Sequence, residues 1–444
     1  MKRLLTIITL TVSASNLSAQ DTYFGEISGQ WRTYYMATWN KDDLKDFHTL
    51  ATGGKLKYEY DFKEKPLKVG GAIYTSVNVG IQDLTIPDAA TGKVSRYELG
   101  MYDVQNPSDR LILFPGELYV NYAEHGHELT FGRMKFVSPF LNPEDGRMIP
   151  TLEQGIAYKY TNEQLGKVQF GIFNQIAARS SDGFYSIGET IGIYPVGRNP
   201  DGKPSGYAGN TDSDFLLTGN LDLNLTPTVG ISVWDYYVEK VFNALYIKPE
   251  WEVGAGWTIS GEWLHQRRVG DGGNAVDSLR YFTDEKANVF GLEITRKLTE
   301  NSTLSIGYDR IADAGRFLFP REWGREFLFS FQKRERSEGS ANSHAVLLTY
   351  NQSFTFGDGK LRSIASVGRH WKPELADAAA NKYAQPDYTH FNLDLFYTHQ
   401  KLIGLKPELL LVYKMGNGTI PDNPNFYLNK VDMFQINFVV NYNF

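Results

Sequence analysis

Cysteine is absent from the 444-residue chain, which excludes disulfides, thiolate metal sites and a lipid-anchored Cys behind a leader. Past residue 19 no stretch approaches the roughly 20 apolar residues of a membrane helix. A chain of this kind that crosses a membrane must do so as strands closed into a barrel, because lipid satisfies no open sheet edge. Positive charge is not in excess either: 45 Lys and Arg stand against 51 Asp and Glu, which argues against a nucleic-acid partner. Catalytic signatures are missing as well. None of the eight His is followed two residues on by the Ser that a barrel phospholipase needs, and His127-Glu128 lacks a His at position 131. No Walker loop or dinucleotide fingerprint occurs. Asn210, Asp212 and Asp214 are spaced like part of a calcium loop but lack its glycine and closing Glu, so a solvated loop is the simpler reading. The expectation is therefore neither an enzyme nor a holder of a cofactor or metal.

What is present is an abundance of rings, 27 Tyr, 27 Phe and 8 Trp, the residues that barrels place in girdles at the two water interfaces. Lys2 and Arg3 precede the apolar run 4–12, and Leu17-Ser18-Ala19 ends on a small residue. This reads as a signal peptide over 1–19, leaving 20–444 as one mildly acidic domain. The last fourteen residues alternate strictly. Phe434, Ile436, Phe438, Val440, Tyr442 and Phe444 share one parity; Gln435, Asn437, Asn441 and Asn443 share the other. Period two with one apolar and one polar face is a strand buried on one side. An edge strand of a soluble sandwich has the same pattern. The chain end also resembles the closing strand of bacterial outer-membrane barrels, which implies that Phe444 is read by the barrel-insertion machinery.

The rest of the chain decides between them. Lys55, Lys57, Glu59 and Asp61 alternate with Leu56, Tyr58, Tyr60 and Phe62, and Glu26, Ser28, Gln30 and Arg32 oppose Ile27, Trp31, Thr33 and Tyr35. Four charges in seven residues suit a wall with water on one side. Further alternating runs bring the count to about 18, with 16 still compatible. Short turns such as 123–127, 161–166, 226–228, 254–256 and 299–302 alternate with long segments at 81–114, 137–151, 177–213, 269–286, 313–342, 372–387 and 416–430. That sorting is the asymmetry of a transmembrane antiparallel β-barrel with periplasmic turns and extracellular loops, and it puts both termini on the short-turn side.

One internal segment is more specific. It reads Gly132-Arg133-Met134-Lys135, then Pro139, then Asp145-Gly146-Arg147-Met148-Ile149-Pro150, and closes on Glu153-Gln154-Gly155. It resembles the third-loop region of the OprD family of outer-membrane substrate-selective porins, apart from a slightly different Glu-to-Gly spacing. The resemblance implies a constriction made by inward-folded third and seventh loops, with carboxylate-bearing solutes as cargo. Arg133, Lys135 and Arg147 are then candidates for the narrow point, with Glu144 and Asp145 as partners or an opposing acidic wall. In the seventh loop, the mixture of apolar anchors and charges from Phe317 to Glu326 indicates packing inside something, and Arg321 and Arg325 become candidates too. For each of these residues a salt bridge pinning loop to wall is an equally good role. The basic run Lys333 to Arg336 is expected outside, on a solvated or headgroup face. Parity assigns Arg32, Lys55, Lys57 and Lys159 to the lumen as a possible basic ladder, though lumen acids such as Glu26, Glu59 or Asp61 are positioned to neutralise them.

The expected function is passive, substrate-selective diffusion of small hydrophilic solutes such as amino acids, small peptides or aromatic acids. Expected partners are outer-membrane lipids and lipopolysaccharide, with the barrel a monomer or trimer. A non-selective diffusion porin and a surface receptor or adhesin with a closed lumen remain open alternatives.

Overall fold

A computed structural model describes residues 25–144, 146–164, 166–194 and 196–444. The leader and Asp145 lie outside the described residues. Eighteen barrel strands follow one another: β1 (Glu26–Trp39), β2 (Phe47–Phe62), β3 (Leu67–Asn78), β4 (Leu111–Glu124), β5 (His127–Met134), β6 (Leu152–Asn162), β7 (Gly166–Ala177), β8 (Leu216–Thr226) and β9 (Val229–Val238) form the first half. β10 (Phe242–Gly254), β11 (Trp257–Arg268), β12 (Lys286–Thr299), β13 (Ser302–Ile311), β14 (Ser343–Phe356), β15 (Gly359–Trp371), β16 (Tyr388–His399), β17 (Leu405–Gly416) and β18 (Met433–Asn443) form the second. Each pairs antiparallel with its sequence neighbours, and β1 pairs with both β2 and β18, from Gln30 opposite Asn443 to Trp39 opposite Phe434. The sheet is closed, so no ladder edge meets lipid. Phe444 completes the seam: its N–H donates to the Gly29 carbonyl (3.1 Å), and its own carbonyl accepts from the Gly29 N–H (2.8 Å).

The alternation read from the sequence is the wall's inside and outside. Ile27, Trp31, Leu56, Leu113, Leu118 and Phe131 are exposed on the outer face, whereas Gln435, Asn437 and Asn441 are buried in the lumen. Polar inside and apolar outside is the inverse of a soluble sandwich and the pattern of a lipid-facing belt.

Eight connections of two to five residues lie on the side of the termini. Nine connections lie on the other side and are numbered loops 1–9: 40–46, 79–110, 135–151, 178–215, 239–241, 269–285, 312–342, 372–387 and 417–432. Loops 1 and 5 are short, so the sorting is less uniform than the sequence implied. Loop 4 also contains a two-residue pairing of Tyr185 and Ser186 with β7, then one helical turn from Ile187 to Thr190 capped by Ser186.

Two large apolar clusters of the described residues occupy parts of the lumen. In one, Phe136, Phe140 and Leu141 of loop 3 and Phe317, Leu318, Phe319 and Trp323 of loop 7 pack on the wall residues Trp234, Tyr236, Phe242 and Tyr246. The other joins Leu84, Tyr97, Leu99, Met101 and Tyr102 of loop 2 and Met148 and Ile149 of loop 3 to Tyr34, Met36, Phe47, Tyr74 and Phe114. Loop 3 thus contributes side chains to both clusters.

Candidate constriction site

Loop 3 and loop 7 are tied backbone to backbone. The Asn142 N–H donates to the Trp323 carbonyl (2.9 Å), Asn142 Nδ2 donates to the Arg325 carbonyl (3.0 Å), and Asn142 Oδ1 accepts from the Arg325 N–H (3.1 Å). Gly324, at φ 126°, leaves room for the Asn142 carbonyl that a Cβ would strike. Loop 4 joins through Glu322, whose Oε1 accepts from the Tyr194 N–H (2.9 Å), and through the Trp323 indole on Thr190 Oγ1 (2.9 Å). Loop 2 is anchored by the buried Glu98, which accepts from Thr38 and Ser95.

Past Trp323, loop 7 keeps going across the lumen and finds a wall acceptor or donor at nearly every step. The Ser330 N–H donates to Asp309 (2.6 Å), Gln332 Nε2 to Ser366 (3.0 Å) and Lys333 to Asp394 (2.5 Å); Arg334 donates to Tyr34 and Asn437, and Glu335 pairs with Lys414 (2.6 Å). The run Lys333 to Arg336 is therefore inside the barrel, contrary to the expectation of an external face. A polar wall that offers carboxylates and amides to a basic segment outcompetes solvent for it.

Where loops 2, 3, 4 and 7 meet is a cavity of about 70 Å³. Among the described residues, Arg96, Arg147, Arg179, Arg321, Arg325, Lys333, Arg334 and Arg336 line it, together with Tyr97, Tyr194, Phe331 and one acid, Glu335. A second void of about 60 Å³ shares Arg325, Lys333 and Arg334 and adds Arg32, Asp394 and Glu408. Arg32 donates to the Arg147 carbonyl and to Asn441 Oδ1 (2.7 Å), linking wall to loop 3. The rings hold the guanidinium planes in place: Arg179 lies 3.9 Å from the Tyr194 centroid and Arg321 3.9 Å from that of Tyr383.

Like Glu335, two further acids of loop 7 face specific cations. Glu338 takes Arg321 Nε (2.7 Å) and Lys382 (3.3 Å), and Glu326 faces Arg336 (3.7 Å). Burial alone raises the Glu338 carboxyl, but Lys382 and Arg321 outweigh it and hold it at about 2. Lys430 of loop 9, whose Nζ donates to the Tyr383 and Ala384 carbonyls, is pushed down to about 7 by burial and then by the charges of Lys93, Arg96 and Arg198.

The candidates divide accordingly. Arg147, Arg321, Arg325 and Arg32 come together. Glu144 is exposed, and its N–H donates to Asn142 Oδ1 (3.3 Å). Lys135 stands on another part of the wall, 3.8 Å from Glu117, which also neighbours Lys57 (3.7 Å). Lys57 meets Glu59 (3.2 Å) and Lys159 meets Glu128 (2.5 Å), so acids on neighbouring positions partner these two lysines; Lys55, on β2, is set opposite Gln30. Arg133 is not brought to the cavity. Its register sets it in one row with the outward Leu118 and with Gln154, to which its Nε donates (2.9 Å), and Phe184 lies 4.6 Å away. Parity at the end of β5 turns it from the lumen, where its place in the motif suggested it would point. Arg96 and Arg179 were not singled out from the sequence, because they lie in segments with no periodicity to read, and Arg334 belongs to the run that was expected outside. The calcium-like triplet is likewise engaged: Asp212 pairs with Lys240 (3.0 Å) and the Asp214 N–H donates to Glu239.

No protein-family model and no curated protein match the chain by sequence. The closed barrel with inward loops is nevertheless the fold of a bacterial outer-membrane porin. Its structural neighbours are porins of the OprD (Occ) family. OpdK of Pseudomonas aeruginosa, crystallised with vanillate, superposes with a TM-score of 0.69 at 15% identity over 94% of this chain and 98% of that one. OccAB4 of Acinetobacter baumannii gives 0.67 at 16% over 94% and 97%, and OccK3 (OpdO) of P. aeruginosa 0.63 at 17% over 94% and 95%. At these identities the likeness is one of fold.

Proposed function

We propose that the protein is an outer-membrane channel for small solutes, and that it conducts carboxylates selectively and passively through the arginine-lined narrow point. The observation that carries this reading is that, among the described residues, eight cations and one acid line the cavity where four loops meet. In a confined passage with low-dielectric walls, fixed charge of one sign concentrates solutes of the other. Planar guanidinium forks match the two oxygens of a carboxylate, and several of them in sequence pass the anion on without a deep trap. The proposed path runs through Arg96, Arg147 and Arg325 to Arg32. Tyr97, Tyr194 and Phe331 add flat apolar walls suited to an aromatic acid, and the OpdK structure holds one such acid, vanillate.

Single-channel recording in planar bilayers tests this. The expected result is anion-selective conductance with transient block by aromatic carboxylates, and loss of both in Arg147→Ala combined with Arg325→Ala. A reversal potential indifferent to ion sign, or block unchanged in that variant, overturns the reading.

A further inference from the structure

Behind loop 7, the register sets Glu262 of β11, Gly291 of β12 and Asp309 of β13 in one row on the lumen face. Both carboxylates are buried. With no side chain on the middle strand they lean over the glycine: Asp309 Oδ1 and Glu262 Oε1 occupy the space where a Cβ on Gly291 would stand. Their remaining contacts point at loop 7 and the wall. Glu262 Oε1 accepts from the Phe329 N–H (2.9 Å), Asp309 Oδ2 from the Ser330 N–H (2.6 Å), and Glu262 Oε2 from the Tyr246 hydroxyl (2.6 Å). Asp309 Oδ1 is buried and accepts from no other described residue.

The surroundings do not favour two negative charges there. Ser260 and its cross-strand neighbours Glu250 and Glu293 occupy the next lumen-facing row, which adds two acids. The nearby cation Lys248 sits 5.3 Å from the Phe329 ring, on loop 7. Ser330 Oγ of loop 7 has no partner among the described residues. Two acids held together out of water do not both ionise at low cost, and one proton between them supplies the donor that Asp309 Oδ1 lacks.

We propose that Glu262 and Asp309 share a proton and act as a latch, positioning loop 7 through the consecutive amides of Phe329 and Ser330. The inference rests on loop 7 forming the channel's narrow point, with Arg325 four residues before the latch and Arg334 four after Ser330. Loss of the proton to solvent leaves a dianion over Gly291. The two carboxylates then separate, two adjacent amides are no longer met together, and the segment around 325–336 is released.

The test is hydrogen exchange of the loop 7 peptide, read alongside KCl current noise, between about pH 5 and about pH 10. Beyond the intrinsic pH dependence, the unaltered protein is expected to show a rise in exchange on the order of tenfold at alkaline pH, with noisier current. Glu262→Gln and Asp309→Asn carry a permanent donor and are expected to remove that step while staying protected. Gly291→Ala drives a methyl group between the carboxylates and is expected to expose the segment at every pH. A step that persists in both amide variants, or protection at neutral pH that a chelator abolishes, overturns the proton latch. An exchange step in a protein that conducts nothing refutes the channel reading and leaves the latch standing; conductance without the step does the reverse.

Discussion

Glu338 is buried against Arg321 and Lys382, and the Tyr383 hydroxyl donates to it at 2.9 Å. Removing one member of such a group leaves charges with no partner out of water, at a cost of about 3–5 kcal/mol. Glu338→Gln is therefore expected to loosen loops 7 and 8 together, seen as new protease cleavage within 312–342 and 372–387 while the barrel strands stay protected. The pH sign follows from the depressed carboxyl. Held at about 2, Glu338 contributes stability that is complete above the ordinary carboxylate range and is lost only as pH falls through about 2. Lys430 has the opposite consequence. Lowered to about 7, it is neutral in the folded protein over a range where an unfolded lysine is still charged, so stability rises from about pH 7 upward while one mouth cation disappears. Anion selectivity is expected to step down as pH rises through about 7, and Lys430→Arg, which stays charged, is expected to flatten the step in reversal-potential measurements. Residue roles were only partly legible in the sequence. Arg321 and Arg325 stood out because apolar anchors flank them and Arg147 because of its motif, whereas the same motif did not show that Arg133 lies away from the cavity, since a motif gives neighbourhood but not the direction of a side chain at a strand end.

Elements were easier to read than residues. A strand with water on one face and lipid on the other must alternate, and that demand repeats in each of the eighteen strands, so the sequence showed about 18 of them, with 16 still compatible. Loops obey no such period. That loop 2 folds inward could not be anticipated, although Tyr97, Leu99, Met101 and Tyr102 are an apolar run with no strand to serve. Loop 7 was flagged by the same kind of run. Its anchor is Trp323, fully buried between Phe319 and the Thr190 hydroxyl, with the stem of the loop packed on Phe140. Truncating a ring of this size in a packed site costs about 3–5 kcal/mol. Trp323→Ala is expected to free the first half of loop 7, raising unitary conductance and shortening carboxylate block, whereas Trp31→Ala on the lipid face changes neither. Equal conductance in the two variants would show that the stem does not hold the constriction.

For the whole molecule, the sign of the total charge and the sign of the narrow point disagree. The chain carries a formal net charge of −6, yet among the described residues eight cations and one acid line the cavity. Which of them governs permeation depends on screening. The Debye length is about 10 Å at 0.1 M salt and about 3 Å at 1 M, so charges spread over the outer surface and loop tips fade as salt rises. Charges that line a narrow void are in contact with the permeant ion, and no ionic atmosphere fits between them. If the overall acidity dominated, the channel would be cation-selective at low salt and would lose that preference at high salt. If the constriction dominates, anion selectivity persists from about 0.1 M to about 1 M KCl and weakens only modestly. We expect the second outcome. Arg147→Glu paired with Arg325→Glu leaves a total charge shifted by only four units but reverses the sign nearest the permeant ion, and it is expected to convert the channel to cation preference at both salts. A reversal confined to low salt would return control to the surface charge and move the selectivity filter away from the loops.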